Sequence, residues 1–292
     1  MIVHPKDWRR VGRDIQVDEI EENIYNSLSR IKCNSLAFSG GIDSSILLYY
    51  MSKVHPKVYA FTMGRSEDHP DVESARLVAK EFPNVEHIVY IPSEEEILEN
   101  ATDEEKALGK EYEGDAAVRL FYKFVSNYTD SIVSGDGIDE FMAGYYAHQE
   151  TPTEETYYEY IGKLQKEQLI PLDGNSGDVR VYLPYIGGEL VCLMSQIPLS
   201  KKVDKSNRKK ILQAIAKGKV PDWVLERRKR GFLSALWSSE KLERPGVSVV
   251  DDVSVTPEKK RKSGEKSAKY RDSMKQVPIR AKTIRRKGKT EK

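Results

Sequence analysis

Cysteine is nearly missing from this sequence, with Cys33 and Cys192 the only two in 292 residues. Two cysteines cannot build a disulfide framework, and their separation is not that of a metal-binding pair, so neither a disulfide scaffold nor a cysteine-held metal cluster is expected. Long apolar runs are missing as well. No stretch approaches the roughly 20 residues that a membrane helix needs, and Met1 to Arg13 is charged and has no signal-peptide core, so the expectation is a cytoplasmic protein that does not enter a membrane. Hydrophobic residues still make up 39% of the chain, enough to bury a real core in one large or two small domains. A third absence is more specific. The glycine-rich string Ser39-Gly40-Gly41-Ile42-Asp43-Ser44-Ser45 contains no lysine, which rules out the Walker loop, and its glycine spacing is not that of a Rossmann dinucleotide site.

That string nonetheless has the properties of a phosphate seat. Asn34 to Phe38 read as a buried strand and Ile46 to Met51 as a mostly buried helix, so the seven residues between them form a strand-to-helix turn. Glycines let the backbone approach a ligand closely, and the N–H groups and positive dipole end of the following helix attract an anion. Three serines add hydroxyl donors, while Asp43 is a hard oxygen ligand suited to the Mg2+ that accompanies a polyphosphate. A plain glycine turn with a serine cap would explain Gly-Gly alone. The whole string goes further and resembles the pyrophosphate loop of the ATP pyrophosphatases, a group that includes asparagine synthetase, GMP synthetase, NAD synthetase and several tRNA-modifying enzymes. The resemblance implies ATP as cofactor, attack on its α-phosphorus, adenylation of a substrate oxygen and departure of pyrophosphate. It also puts Phe38, Ser39, Gly40, Gly41, Asp43, Ser44 and Ser45 on the nucleotide, with Phe61, Met63 and Gly64 matching the positions that receive adenine and ribose.

Along the chain, Ile20, Ile24, Leu28 and Ile31 recur at helical steps and predict a helix over Val17 to Ile31. A strand at Lys57 to Met63, a helix at Asp71 to Phe82 with Pro70 in its first turn, and a strand at Glu86 to Ile91 follow, with His69 read as an exposed loop residue. Ser93 and Glu96 form a capping box that opens the next helix. The charged run Ala101 to Gly114 reads as a surface crossover. Asp115 then caps a helix whose stripe of Ala116, Ala117, Leu120, Phe121, Phe124, Val125 and Tyr128 belongs to the core, and Ser131 to Val133 form a fourth strand. Strands alternating with helices predict an α/β fold with a doubly wound parallel sheet whose ligands bind beyond the carboxyl ends of the strands. From Thr151 the chain becomes a helical C-terminal extension, with helices at Thr153 to Gln168, Gly187 to Ser195 and Asn207 to Lys217, the last capped by Ser206 and stopped by Gly218. Cys192 sits in an apolar helix and reads as a packing thiol.

A second glycine turn, Ser134-Gly135-Asp136-Gly137-Ile138-Asp139-Glu140, follows the fourth strand and is continued by Phe141-Met142-Ala143-Gly144-Tyr145. It places three carboxylates beside the same polyphosphate as Asp43. This string resembles the second signature of the asparagine synthetase family, which GMP and NAD synthetases do not share. A third string, Arg227-Arg228-Lys229-Arg230-Gly231-Phe232, is similar to the one that ends the family's synthetase core. The family implies an adenine-nucleotide alpha hydrolase-like sheet of five parallel strands. It implies Asp43 and Asp139 as metal ligands, Ser134 and Gly135 as nucleotide contacts, Asp136 as a proton-handling group and Lys229 as the cation that stabilises departing phosphate charge. A turn aspartate bonded to its own backbone is the alternative for Asp136, and a solvated basic face the alternative for Lys229. Between these strings, Val179 to Gly187 depart from the family: Tyr182 stands where arginine is usual and Gly187 where aspartate is usual.

The activity implied is that of an ATP-dependent carbon–nitrogen ligase in asparagine and amino-acid biosynthesis, adenylating a small-molecule carboxylate, most simply aspartate, before nitrogen displaces AMP. The family's glutaminase domain precedes its synthetase loop, and here 38 residues precede Ser39. The expected nitrogen source is therefore ammonia, or a separate glutaminase subunit. The boundaries expected are a helical extension over 1–30, the synthetase-like domain over 31–245 and a basic, disordered tail over 246–292. Glu258 to Lys292 carry 15 Lys/Arg against 4 Asp/Glu, a surplus of +11 that leaves the rest of the chain at −10. Such a tail suits either solubility or contact with nucleic acid, and it keeps a tRNA-modifying ATP pyrophosphatase as the rival reading.

Overall fold

The computed structural model describes residues 8, 11–100 and 113–227, all within one compact unit. The boundary expected at 245, the basic segment beyond it, most of the crossover run 101–114, and Arg228 to Phe232 with Lys229 lie outside the described residues. Five strands, β1 (Ser35–Ala37), β2 (Val58–Met63), β3 (Val85–Tyr90), β4 (Ser131–Val133) and β5 (Arg180–Tyr182), form one sheet in the order β3-β2-β1-β4-β5. Every pairing is parallel, with Leu36 opposite Ala60 on one side and Val133 on the other. The connections reverse direction between β1 and β4, and in open parallel sheets such a switch point leaves a crevice at the carboxyl ends of the two strands.

Both faces of the sheet are covered, as a parallel sheet requires. Along β2, Val58 and Ala60 join one core cluster and Phe61 and Met63 the other, following the two-residue period of a strand. The first face is packed by α1 (Val17–Ser29), α2 (Ile42–Val54) and α3 (Pro70–Ala79), and the second by α4 (Glu94–Asn100) and α5 (Glu113–Val125). Helix α1 buries Ile20, Ile24 and Leu28 completely, and each such side chain contributes roughly 1.5–3 kcal/mol of transfer free energy. Ser93 and Glu96 make the reciprocal capping bonds expected of them, at 2.8 and 3.2 Å. After β4 come α6 (Ile138–Met142), α7 (Tyr146–Glu150), α8 (Glu154–Lys163) and α9 (Ile170–Asn175), and after β5 come α10 (Gly188–Gln196), α11 (Leu199–Lys202), α12 (Lys210–Ala216) and α13 (Asp222–Glu226).

The differences from expectation have local causes. His69 is fully buried rather than exposed, because its Nδ1 caps α3 by accepting from the Asp71 N–H at 3.2 Å. Helix α5 begins at Glu113, so Asp115 lies inside it, and Tyr128 falls beyond its end and is exposed. The helix expected to stop at Gln168 instead passes into a π-helical turn, Leu164–Leu169, before α9. The extra residue of that turn brings Gln168 Nε2 to 2.5 Å from Glu140 Oε1 and 2.6 Å from the Tyr145 hydroxyl, in a buried polar cluster. Helix α12 starts at Lys210 and is not capped by Ser206. Asp204 accepts the Ser206 and Asn207 N–H groups, both at 2.9 Å, and the residue before the helix is Lys209 in the left-handed conformation, φ +52°.

Candidate active site

The first turn is shaped by what lies beneath it. Gly40 has φ +66°, and a Cβ there would fall 2.5 Å from Ala75 N and 2.7 Å from Ser74 C, so the loop lies directly on the backbone of α3 and only glycine fits. Inside the loop the Ser44 hydroxyl accepts from Ser39 N at 3.3 Å and lies 3.3 Å from Ser39 Oγ, while Gly41 caps α2 and points the helix start at the crevice. Ser39 is exposed at the mouth, Ser44 is buried under it, and Ser45 is fully buried. Phe38 fixes the loop through the core, donating its N–H to Phe61 O at 2.8 Å. Met63 is buried, and the Gly64 N–H is held by Tyr90 O at 3.1 Å at the end of β2, next to β1.

The second turn is pressed against the first. A Cβ on Gly135 would stand 3.7 Å from Asp43 Cβ, so the two glycine strings meet across the switch point. The Ser134 N–H bonds Tyr182 O at 2.9 Å, and the Ser134 hydroxyl donates to Asp136 Oδ2 at 2.6 Å, which aims that carboxylate. Tyr122 is buried beside them. Burial, reinforced by the negative charge of Asp136, raises its phenol far above the ordinary range despite the Ser134 hydroxyl.

Asp43 and Asp139 converge. Both reach the buried ammonium of Lys209, whose Nζ lies 2.5 Å from Asp43 Oδ2 and 2.6 Å from Asp139 Oδ1. The Lys209 side chain is only 7% exposed, and burial works against its charge, but the two carboxylates outweigh burial and raise its pKa. Gly144 closes the site from behind: a Cβ there would collide with Asp139 Oδ1 and lie 2.5 Å from Lys209 Cε. Tyr185, fully buried, donates its hydroxyl to Asp43 O at 2.8 Å and anchors the start of α2. Arg227 lies across the loop, donating to Ser39 O at 3.2 Å and Pro70 O at 3.3 Å and pairing with Asp71, so the third string begins against the first glycine turn.

The structure therefore brings together Ser39 to Ser45 and Ser134 to Asp139, with Met63 and Gly64 one strand over. The residues that sequence reasoning missed are Lys209 and Tyr185. A signal for Lys209 existed. Arg208-Lys209-Lys210 place three cations at a helix N-terminus, where the macrodipole disfavours them, and such a mismatch calls for an acidic partner. Among the described residues no group of three or more His, Cys, Asp or Glu side chains could hold a metal by itself. A pair of carboxylates beside an anion seat suits an ion that takes its remaining ligands from water and phosphate, as Mg2+ does.

The family model for asparagine synthase matches residues 34–176 and 172–244, a span that holds both glycine turns, Lys209 and Arg227. The chain belongs to the asparagine synthase family. It is 28% identical over 235 residues to the glutamine-hydrolyzing asparagine synthetase of Gallus gallus, covering 73% of this chain and 41% of that protein. It is 26% identical over 221 residues to a probable glutamine-hydrolyzing asparagine synthetase of Acanthamoeba polyphaga mimivirus, covering 69% of this chain and 40% of that protein. The Homo sapiens asparagine synthetase is 32% identical over 151 residues, 47% of this chain and 26% of that protein. The chain thus spans less than half the length of these curated relatives. Family membership accounts for the two glycine turns, and the structure places them side by side at the carboxyl ends of β1 and β4.

Proposed function

We propose that this chain is an ATP-dependent amide synthetase of the asparagine synthase type. The observation that carries the reading is the convergence of Asp43 and Asp139, from two different switch-point turns, on one cation position beside a helix-capped anion seat. In this reading the N–H groups and serines of the loop over 39–45 orient the polyphosphate. A substrate carboxylate oxygen attacks the α-phosphorus, the bond to the bridging oxygen breaks, and pyrophosphate leaves. Ammonia then attacks the acyl carbon and AMP departs. Asp136, held by the Ser134 hydroxyl, accepts the proton released from nitrogen. Lys229, two residues past Arg227, supplies positive charge to the departing phosphates.

The donor set fits Mg2+. Asp43 and Asp139 present hard oxygens to a single point already taken by a cation, the Lys209 ammonium, and they are the residues that would hold the ion. When bound, Mg2+ would neutralise charge on the pyrophosphate leaving group. Aspartate is the simplest carboxylate for the site. The departures at Tyr182 and Gly187 lie on the substrate side, so a screen of carboxylates is the direct test: ATP/pyrophosphate exchange measured across amino acids, with exchange expected for aspartate or a close relative.

Ammonia, or a separate glutaminase subunit, is the proposed nitrogen source. Cys33 and Cys192 are both buried, and burial pushes the Cys33 thiol up, which suits packing and not nucleophilic attack on glutamine. Amide formation with ammonium chloride but not with glutamine tests this on the chain itself. The basic segment from Glu258 favours a second reading, modification of tRNA, which labelled ATP and total tRNA would reveal.

A further inference from the structure

Lys209 is built into the point where the two carboxylates meet. It enters from the residue before α12 with a left-handed backbone that turns its side chain inward, and the stem runs against Gly144. The ammonium then bridges Asp43 Oδ2 and Asp139 Oδ1 at 2.5 and 2.6 Å. Those two carboxylates remain accessible at 21% and 17% exposure, so an ion arriving from solvent can reach them although Lys209 itself is enclosed. Two carboxylates and one ammonium sum to −1. A divalent ion added beside the ammonium would face a like charge a few ångströms away in a poorly solvated site, where such repulsion is much stronger than in bulk water.

We propose that Lys209 is an internal exchange cation: it holds Asp43 and Asp139 together and gives up that position to a divalent ion when a polyphosphate enters the neighbouring loop. The proposal rests on the reading of these carboxylates as the metal site. Its consequence is coupling. A divalent ion alone must displace the ammonium from both of its carboxylate partners, so it binds weakly. A nucleotide supplies anionic oxygens next to Asp43 that accept the displaced ammonium, so ion and nucleotide assist each other, and the assistance is reciprocal. The site is thereby kept assembled but reluctant to take the ion without the nucleotide.

The test is Mn2+ binding to the full chain, followed by electron paramagnetic resonance, with and without a non-hydrolysable ATP analogue, in the parent protein and in Lys209→Met. Lys209→Gln is measured alongside, since its amide can still donate to both carboxylates without a charge and so preserves folding if the methionine variant does not. Without nucleotide, the uncharged variants should bind Mn2+ on the order of 10-fold or more tighter than the parent, and the analogue should improve their Mn2+ affinity much less than it improves the parent's. Their unfolding midpoints should also rise more on adding Mn2+ alone. Unchanged or weaker Mn2+ binding in the variants, with saturable binding in the parent, overturns the exchange role and leaves the metal site standing. Absence of saturable Mn2+ binding in every protein, with and without the analogue, overturns the metal assignment of Asp43 and Asp139 and the exchange role with it.

Discussion

Gly144→Ala probes the site without removing any of its chemistry. The added methyl would overlap Asp139 Oδ1 and lie 2.8 Å from Asp139 Cγ and 2.5 Å from Lys209 Cε. Carbon atoms in contact rest at about 3.5–4.0 Å, so the carboxylate or the lysine stem must shift by roughly 1 Å. Overpacking of this kind costs about 1–3 kcal/mol, and replacing glycine returns about 0.4–1 kcal/mol through the unfolded chain. The net is about 1–2 kcal/mol, or a midpoint lowered by roughly 2–8 °C for a domain of this size. The functional effect should be larger. A displacement of about 1 Å at a catalytic group costs on the order of 100-fold in rate. Pyrophosphate release measured at saturating ATP, beside thermal unfolding, separates the two. The expected outcome is a folded protein with a modestly lower midpoint and a rate reduced about 100-fold. A variant that turns over within a few-fold of the parent would show that the position of Asp139 against Lys209 does not matter to the reaction.

Asp43→Ala and Asp139→Ala should each abolish pyrophosphate release, and turnover near that of the parent in either would remove the metal assignment. Lys229→Ala should lower the adenylation rate on the order of 100-fold or more with little effect on ATP affinity; a matching loss of affinity at unchanged saturating rate would make it a binding residue only. Tyr185→Phe removes one hydrogen bond to Asp43 O and should cost about 0.5–1.5 kcal/mol in denaturant unfolding, and a loss no greater than the error of the measurement would contradict the anchoring role. His87 is held down from its ordinary 6.5 to about 4, first by burial and then by Arg76. Because its folded pKa is lowered, the stability it contributes is fully present above pH 6.5 and is lost as pH falls from 6.5 through about 4. His87→Gln should flatten that part of the stability profile, and an unaltered slope would show that His87 does not titrate as described.

Four strands of the sheet were legible as short apolar runs between turns and helices, and the apolar stripes of α1 and α5 repeat at helical spacing, whereas β5 (Arg180–Tyr182) is a three-residue strand with no such pattern and was implied only by the family resemblance. The two glycine turns were legible as turns from their glycines at strand ends, and it was the resemblance of the whole strings that marked them as candidate ligand loops. Their meeting was not legible from spacing alone. Asp43 and Asp139 are 96 residues apart in sequence, and only the pairing of β1 with β4 brings them together. Lys209 was hidden because the helix expected over Asn207 to Lys217 put it inside the first turn among basic neighbours, whereas the helix starts only at Lys210 and the left-handed backbone of Lys209 turns its side chain inward. His69 was misplaced by a similar default: histidine next to Pro70 in a polar stretch looks like loop, but its ring serves as a buried cap. The π-helical turn had no local sequence signal, and the bond that Gln168 makes from it reaches a buried Glu140 that is 28 residues away.

In the proposed function, the site at the carboxyl ends of β1 and β4 adenylates a carboxylate. Isotope exchange between pyrophosphate and ATP measures that step alone, independent of the nitrogen source. With Mg2+ present, exchange should depend on an added amino-acid carboxylate, with aspartate tested first, and should disappear in Asp43→Ala. Exchange absent with every carboxylate, in a protein that binds ATP, would contradict it.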